Sequence, residues 1–161
     1  MSLAVVFARA SLGVAAPLVT VEAHLANGLP AFNIVGLPET TVKEARDRVR
    51  SALLNSGFEF PARRITVNLA PADLPKDGGR FDLPIAMAIL AASGQIPATK
   101  LDQLEFLGEL ALTGALRSIK GALPAVLAAR DNERILVLPA GNGIEAGVIH
   151  PCPARLAPHL L

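Results

Sequence analysis

The clearest pattern along the chain is a strict alternation of apolar and polar positions that gives way, after a polar loop, to an unbroken apolar run. Residues 65–70 alternate, which is typical of a strand with one buried face, whereas residues 83–92 are apolar on every side and long enough for a buried helix. Asp82 stands at the expected helix start, so its carboxylate is predicted to cap the free N–H groups of the first turn. We therefore expect a strand, a loop at residues 71–81 and a helix at the centre of the fold.

A hairpin signal precedes this centre. Residues 3–9 and 18–25 are rich in strand-forming residues, and Asn27-Gly28 is the strongest turn dipeptide in the sequence. The turn predicts that residues 20–26 pair antiparallel with residues 31–35.

An amphipathic pattern follows between Pro38 and Gly57. Its apolar positions recur at helical spacing, which predicts a helix over about residues 39–56. Thr41 and Glu44 have the spacing of a capping box. The predicted core stripe consists of Val42, Ala45, Val49, Ala52 and Leu53.

The second half of the chain alternates short strands with one further helix. The pattern predicts a weak strand at 104–113, its hairpin partner at 116–118, a helix at about 123–131, and strands at 134–138 and 148–149. The prolines after residue 150 mark a tail. Together these elements predict an α/β fold of two layers, a mixed sheet covered by helices.

Composition bounds the class of protein. A chain of 161 residues with 52% hydrophobic content suits one domain with a sizeable core. No window supplies the roughly 18 apolar residues of a membrane span, and residues 1–16 lack the pattern of a signal peptide, so we expect a soluble, cytoplasmic protein. Cys152 is the only cysteine. It cannot form an intrachain disulfide and is interpreted as a reduced structural thiol.

The charged loop and the helix after it resemble the nucleophile segment of the Lon protease domain. Pro75-Lys76-Asp77-Gly78 followed by Ile85-Ala86-Met87-Ala88 is similar to the Lon pattern Pro-Lys-Asp-Gly-Pro-Ser-Ala-Gly and its apolar helix. The loop here is two residues longer, so the serine position falls on Arg80 or on Asp82, depending on the direction of counting. Neither side chain is a usable acyl nucleophile.

A second segment, residues 114–129, resembles the part of Lon that supplies the catalytic lysine. That lysine aligns with Leu123, and Lys120 lies three residues earlier, across the turn. The two resemblances imply a Lon-like fold, similar to domain 2 of ribosomal protein S5, without the peptidase chemistry.

Several motifs in a fixed order are similar to the N-terminal domain of the ComM or YifB proteins, the magnesium-chelatase-like AAA+ ATPases. They occupy residues 1–6, 32–38, 42–53, 65–76 and 81–86, and the similarity covers essentially the whole chain. This resemblance implies a non-catalytic accessory domain at residues 1–150, with residues 151–161 starting a linker towards a missing AAA+ module. The family is implicated in DNA branch migration during natural transformation, and its full-length members are expected to form hexamers. The implied task of the domain is assembly, partner contact or DNA contact.

Cofactor sites are not expected in this chain. A Walker A loop needs Gly-x-x-x-x-Gly-Lys-Ser/Thr, which the sequence lacks, so ATP and Mg²⁺ are expected only in the missing downstream module. His24, His150 and His159 are scattered and predict no metal site. Residues 141–147 are one residue off a dinucleotide-binding pattern and are interpreted as an ordinary turn.

Two charged clusters are candidate interaction sites. The first is a loop that could contact a neighbouring subunit, the ATPase module or a nucleic-acid backbone, or could simply position the helix. Its aspartates could bind Mg²⁺ but more often cap turns. This candidate interaction loop comprises Asp73, Lys76, Asp77, Gly78, Gly79, Arg80 and Asp82.

The second cluster is a basic helix face formed by Lys43, Arg46 and Arg50. Glu44 and Asp47 lie beside it, so it is interpreted as an ordinary exposed helix with salt bridges or as a nucleic-acid contact. A net charge of +1 provides no overall field towards nucleic acid. Any binding of DNA is therefore expected to be weak and salt-sensitive. No contact with a membrane is expected.

Two other functions remain open. One is a Lon-like serine peptidase with a displaced dyad, using Ser93 or Ser118 with Lys76 or Lys120. Ser93 lies about ten residues along the helix, roughly 16 Å from the loop, which is too far for a loop nucleophile. The other is a free-standing nucleic-acid-binding module, which the near-neutral charge disfavours.

Overall fold

The computed structural model describes residues 2–12, 14–72, 74, 76, 78–143 and 154–160. Its helices are α1 (Glu39–Asn55), α2 (Asp82–Ala92) and α3 (Ala122–Asp131). Its strands are β1 (Ser2–Arg9), β2 (Leu18–Ala26), β3 (Ala31–Val35), β4 (Arg64–Ala70), β5 (Leu104–Phe106), β6 (Glu109–Leu110), β7 (Leu116–Arg117), β8 (Ile135–Pro139) and β9 (Ala154–Ala157). Seven strands form one mixed sheet in the order β3-β4-β2-β1-β5-β8-β9, and β6 pairs with β7 in a separate short hairpin. The predicted fold class is confirmed.

The core lies between the central strands and the helices. Along β2, every second residue from Val19 to Leu25 is completely buried, while the residues between them are partly exposed. α2 packs across β1 and β2, and α1 packs beside α2. Because its sequence is apolar on every side, α2 buries nine of its 11 residues. Each of its buried leucine and isoleucine side chains contributes about 1.5–3 kcal/mol through removal from water.

The predicted hairpin between β2 and β3 is wrong. β4 lies between these two strands: it pairs antiparallel with β2 and parallel with β3. The link between β2 and β3 is four residues long and ends in Pro30, so it differs from the two-residue turn that the Asn27-Gly28 dipeptide favours. At the end of β3, Gly36 has φ +100°, and a side chain there would collide with the Leu69 carbonyl of β4. The result is that β3 forms an edge of the sheet.

The helix predicted at residues 39–56 is confirmed as α1. Ala45, Val49, Ala52 and Leu53 are buried, and Val42 is partly buried against the core. The capping box is wrong, because the helix begins directly after Pro38 and no side chain caps it. Thr41 therefore lies within the first turn instead of at the cap position.

The second half of the chain follows the predicted order with two differences. The expected strand at 104–113 is divided into β5 and β6, with Leu107 and Gly108 between them. The segment expected to begin a linker contributes β9, which pairs parallel with β8, and Leu160 donates its N–H to the Gly114 carbonyl at 2.7 Å. The strand predicted at 148–149 falls outside the described residues. A linker towards a further module stays a prediction.

Within the described ranges, no helix combines the length and the apolar character needed to cross a bilayer.

Candidate functional site

A cleft of about 470 Å³ opens where the charged loop meets the segment after β7. This volume falls within the range of roughly 300–1,000 Å³ found for ligand sites. Four separate parts of the chain form its wall, which consists of Ser11, Gly78, Gly79, Arg80, Glu109, Ser118, Ile119 and Lys120. The cleft therefore brings part of the predicted interaction loop together with two residues of the proposed displaced dyad.

The two cations of the candidate interaction loop point inward. Lys76 is 3% exposed, and its Nζ donates to the carbonyls of Pro71 and Leu74 at 2.5 and 2.8 Å. Arg80 is 7% exposed and donates to the Arg9 carbonyl at 3.3 Å and to the Lys120 carbonyl. These side chains hold the loop against its neighbours and do not present their charges at the surface.

The two glycines of the candidate interaction loop border the cleft. Gly78 is exposed and Gly79 is partly exposed, and both line the cleft. A side chain at Gly79 would collide with the carboxylate of Glu109, so this position has no room for one. Asp73 and Asp77 lie outside the described residues. An interaction through this loop stays a prediction.

Asp82 is buried and paired, and its predicted role as a helix cap is wrong. α2 begins at Asp82 itself, and no side chain caps this helix. The Asp82 carboxylate instead accepts hydrogen bonds from Arg48 Nε at 2.6 Å, from Arg48 Nη2 at 3.2 Å and from the Leu110 N–H at 3.0 Å. One carboxylate thereby connects α1, α2 and β6.

Burial decides the protonation behaviour of this pair. Asp82 is 1% exposed, and its desolvation raises the pKa of the carboxyl from 3.8 to about 6, although the hydrogen bonds from Arg48 and Leu110 act in the opposite direction. The pKa of Arg48 is raised, mainly by its hydrogen bond to Asp82. Arg48 keeps 22% of its side chain exposed. It therefore loses less hydration than Asp82 does on forming the pair.

The wall of the cleft after β7 is held from both sides. The amide of Asn142 accepts the Ile119 N–H at 3.0 Å and donates to the Ile119 carbonyl at 2.9 Å. Arg80 binds the next carbonyl, that of Lys120. A peptide added as a strand would have to compete with these side chains for the main-chain groups of Ile119 and Lys120.

Ser118 and Lys120 both line the cleft, as the displaced-dyad hypothesis requires of its members. Both are exposed, and neither side chain forms a hydrogen bond or an ion pair with any residue that the structure describes. An acyl nucleophile needs a base within hydrogen-bond distance. The cleft therefore holds the residue types of a dyad without its activating contact.

Ser93 is separated from the cleft. It follows the last residue of α2, donates to the Leu90 carbonyl at 3.1 Å and accepts a hydrogen bond from Gln95 at 2.9 Å. Leu123, which aligns with the catalytic lysine of Lon, lies at the start of α3 with 37% of its surface exposed.

Two of the three cations of the basic helix face contact other parts of the same domain. Arg46 donates to the Phe32 carbonyl at 3.3 Å, and the Arg50 guanidinium lies 5.1 Å from the centre of the Phe60 ring. Lys43 is exposed. The three cations remain on one side of α1, where the two arginines are held in place by these contacts.

Within the described ranges, no group of three or more metal-binding side chains occurs. Asp82 is occupied by Arg48, and two of the loop's aspartates, as noted, are not described. His24 lies on β2, while His159 contacts the Thr113 carbonyl at 3.1 Å. His150 and Cys152 fall outside the described residues.

Sequence reasoning missed a buried charge cluster next to the cleft. Arg9 makes two hydrogen bonds of 2.8 Å to Glu105, which is fully buried, and Arg134 approaches the same carboxylate at 3.4 Å. The signal was present, because Arg9 directly follows the apolar run at residues 3–8 and Glu105 lies between Leu104 and Phe106. Glu109 and Ser11 had no such signal and are identified only by their position on the cleft.

The architecture and the altered nucleophile segment define a Lon-like α/β domain. The chain is 29% identical over 133 residues to the Lon protease of Rhizobium meliloti. This match covers 78% of this chain and 16% of that protein. Competence protein ComM of Haemophilus influenzae is 64% identical over 149 residues, covering 92% of this chain and 29% of that protein. YifB of Escherichia coli is 58% identical over 160 residues, covering 99% of this chain and 32% of that protein.

The family model for subunit ChlI of Mg-chelatase matches residues 21–142. The chain belongs to this magnesium-chelatase-like family, and within it resembles ComM and YifB over nearly its whole length. It spans about a third of the length of these two relatives.

Proposed function

We propose that this chain is a non-catalytic N-terminal accessory domain of a ComM-type AAA+ ATPase and that it serves assembly, partner contact or DNA contact. One observation carries the proposal. The two residues that occupy the Lon serine position, Arg80 and Asp82, are buried and bound to other parts of the domain. Buried arginine and aspartate side chains that are bonded in this way cannot act as the nucleophile towards an acyl substrate.

The wider context follows from the likeness to ComM and YifB. ATP and Mg²⁺ would bind to a downstream module, and the domain would contact that module and its neighbouring subunits in a cytoplasmic hexamer. DNA contact would use the basic helix face of Lys43, Arg46 and Arg50. A Walker A motif in the downstream part of the gene would agree with this arrangement, whereas its absence would contradict it.

A Lon-like peptidase is the second candidate, favoured by the shared position of Ser118 and Lys120 on one cleft. Its mechanism would require Lys120 to remove the proton of the Ser118 hydroxyl as the oxygen attacks a carbonyl carbon. No contact that prepares this step is present among the described residues.

The peptidase assay separates the two candidates. We expect the chain to leave unfolded casein intact and to resist labelling by a serine-reactive phosphonate, because Ser118 has no activating base. An active Lon protease serves as the positive control and the Ser118→Ala variant as the matched control. Cleavage by the wild-type chain that disappears in Ser118→Ala would replace the accessory-domain proposal with the displaced dyad.

A further inference from the structure

The outer side of β3 carries main-chain groups that no described strand pairs. β3 is the first strand in the sheet and is hydrogen-bonded to β4 on one side. Ala31 donates its N–H to the Arg63 carbonyl, towards β4. Because successive residues of a strand direct their main-chain groups to opposite sides, Asn33 and Val35 also face β4, whereas Phe32 and Ile34 face outward. We call the outward N–H and C=O groups of Phe32 and Ile34 the β3 edge.

The residues of β3 itself lack the features that usually prevent strands from pairing between molecules. Natural edge strands carry charged residues, prolines or bulges for this purpose. The sequence of β3, AFNIV, contains no charge and no proline. Val35 is 52% exposed and nearby Leu29 is 88% exposed. At the opposite edge of the sheet, by contrast, β9 carries the exposed Arg155.

We propose that the β3 edge pairs antiparallel with the β3 edge of a second copy of this chain, about a twofold axis at Asn33. The spacing of the outward groups makes the edge complementary to itself. When the two Asn33 residues face each other, Phe32 of one copy lies opposite Ile34 of the other. Each of these two pairs then exchanges two N–H to C=O hydrogen bonds, which is the closely spaced pattern of an antiparallel ladder.

The side chains are compatible with this register. Phe32 and Ile34 lie on the sheet face that the helices cover, since they are in register with the buried Ile65 and Val67 of β4. The other face of β3 carries the exposed Asn33. Two Asn33 amides would meet across the axis, and an amide can both donate and accept a hydrogen bond. An interface between identical surfaces of this kind is the usual basis of a twofold dimer.

Arg46 partly occupies the edge. Its guanidinium already donates to the Phe32 carbonyl at 3.3 Å, so it competes with the N–H group of an incoming strand. Removal of this side chain would leave the carbonyl free for the second copy. Arg46 is thus the one described protective feature of the β3 edge.

This inference adds a pairwise contact to the proposed assembly role, separate from the contacts that would close a hexameric ring, and it rests on the geometry of β3. Its failure is distinguishable from failure of that role: a chain without peptidase activity that stays monomeric would end the strand pairing and leave the accessory-domain proposal intact.

Sedimentation velocity at increasing concentration tests the pairing in the 161-residue chain. We expect a monomer–dimer equilibrium. Hydrogen exchange supplies the residue-level readout, because the Phe32 and Ile34 amides should become protected as the dimer forms. The amides of Asn33 and Val35 should be protected at every concentration, since they face β4.

Charge substitutions at the axis provide the matched test. Asn33→Lys and Asn33→Asp should each weaken dimerisation roughly fivefold, because like charges would face each other across the strand pair. An equimolar mixture of the two variants should recover the affinity, while Gln103→Lys, an exposed position in the Leu101–Gln103 turn, should leave it unchanged. Arg46→Ala should strengthen the dimer.

Three results would overturn the proposal. The first is a wild-type chain that remains monomeric at all concentrations. The second is a dimer that neither Asn33 variant weakens, and the third is a dimer in which the Phe32 and Ile34 amides exchange as fast as in the monomer.

Discussion

Asp82 combines almost complete burial with contacts to three elements. Its carboxylate is bound by Arg48 of α1 and by the N–H of Leu110 in β6, while its own main chain begins α2. Burial destabilises the charged carboxylate by more than the hydrogen bonds from Arg48 and Leu110 stabilise it, which explains why the pKa of Asp82 is raised to about 6. The contact links three elements, although burial makes the charged form of Asp82 less stable than it is in water.

The raised pKa predicts a specific pH dependence of stability. Between the unfolded pKa near 3.8 and the folded pKa of about 6, the native state binds more protons at Asp82 than the unfolded state does. The stabilising contribution of protonated Asp82 is therefore present below pH 4 and is lost as the pH rises to 6, by about 3 kcal/mol.

The measurement is the free energy of unfolding of the wild type minus that of Asp82→Asn, which does not titrate. Urea unfolding followed by circular dichroism is suitable, because the chain has no tryptophan or tyrosine for fluorescence. A difference that increases from pH 4 to pH 6 would mean that the ion pair with Arg48 outweighs desolvation.

The residue-scale roles of the central loop were the hardest to predict from the sequence. The pattern of residues 65–93 identified β4 and α2 as central elements of the fold, whereas the charge density of the loop between them did not reveal its contacts. The partners of Asp82, however, lie 34 and 28 residues away along the chain, and Arg80 binds carbonyls 71 and 40 residues away. Local rules for caps and turns contain no information about such contacts.

At the scale of elements, local periodicity predicted what each segment forms but not how strands pair. The positions of α1, α2 and α3 followed from hydrophobic spacing to within a residue or two. The pairing of β3 was missed because β4, about 30 residues later in the chain, competes successfully for both β2 and β3. The alternation of Ile65, Val67 and Leu69 identified β4 as a strand without indicating where it enters the sheet.

The basic face of α1 leads to a prediction about DNA. Lys43, Arg46 and Arg50 share one side of the helix. The contacts of the two arginines, with a carbonyl and with an aromatic ring, do not neutralise their positive charges. If all three contact phosphates, the plot of log K against log salt should have a slope of roughly −2 to −3, with weak affinity that does not depend on sequence.

Fluorescence anisotropy with single-stranded and duplex DNA at several salt concentrations measures this slope. Lys43→Gln/Arg50→Gln should flatten it by roughly 1–2, whereas Lys100→Gln, in an exposed loop, serves as the matched control. Binding that persists at high salt, or that the double variant leaves unchanged, would place the DNA contact elsewhere.

At the scale of the whole molecule, one buried carboxylate joins the two halves of the sheet. Glu105 of β5 binds Arg9 of β1 and approaches Arg134, which directly precedes β8. Arg134 also lies over the Phe7 ring, 4.2 Å from its centre. The cluster thus extends across β1, β5 and the start of β8.

Breaking this cluster should be costly. Glu105→Gln should lower the free energy of unfolding by about 3–5 kcal/mol, because Arg9 would remain buried without a compensating charge. The double variant Arg9→Met/Glu105→Leu should lose less free energy of unfolding than Arg9→Met and Glu105→Leu lose in sum, since it removes both charges together. Urea unfolding measures these values. Additive losses would show that Arg9 and Glu105 do not depend on each other.

The insertion of β4 between β2 and β3 also sets an order for folding during synthesis. β1 and β2 can pair as soon as both have left the ribosome, since they are adjacent in the chain and in the sheet. β3 emerges next but has no partner until residues 64–70 follow, after the whole of α1. During that interval the nascent chain exposes an unpaired apolar strand beside a forming sheet, a state that is prone to association with other chains. The nascent chain that ends before residue 64 is therefore expected to be prone to association through β3.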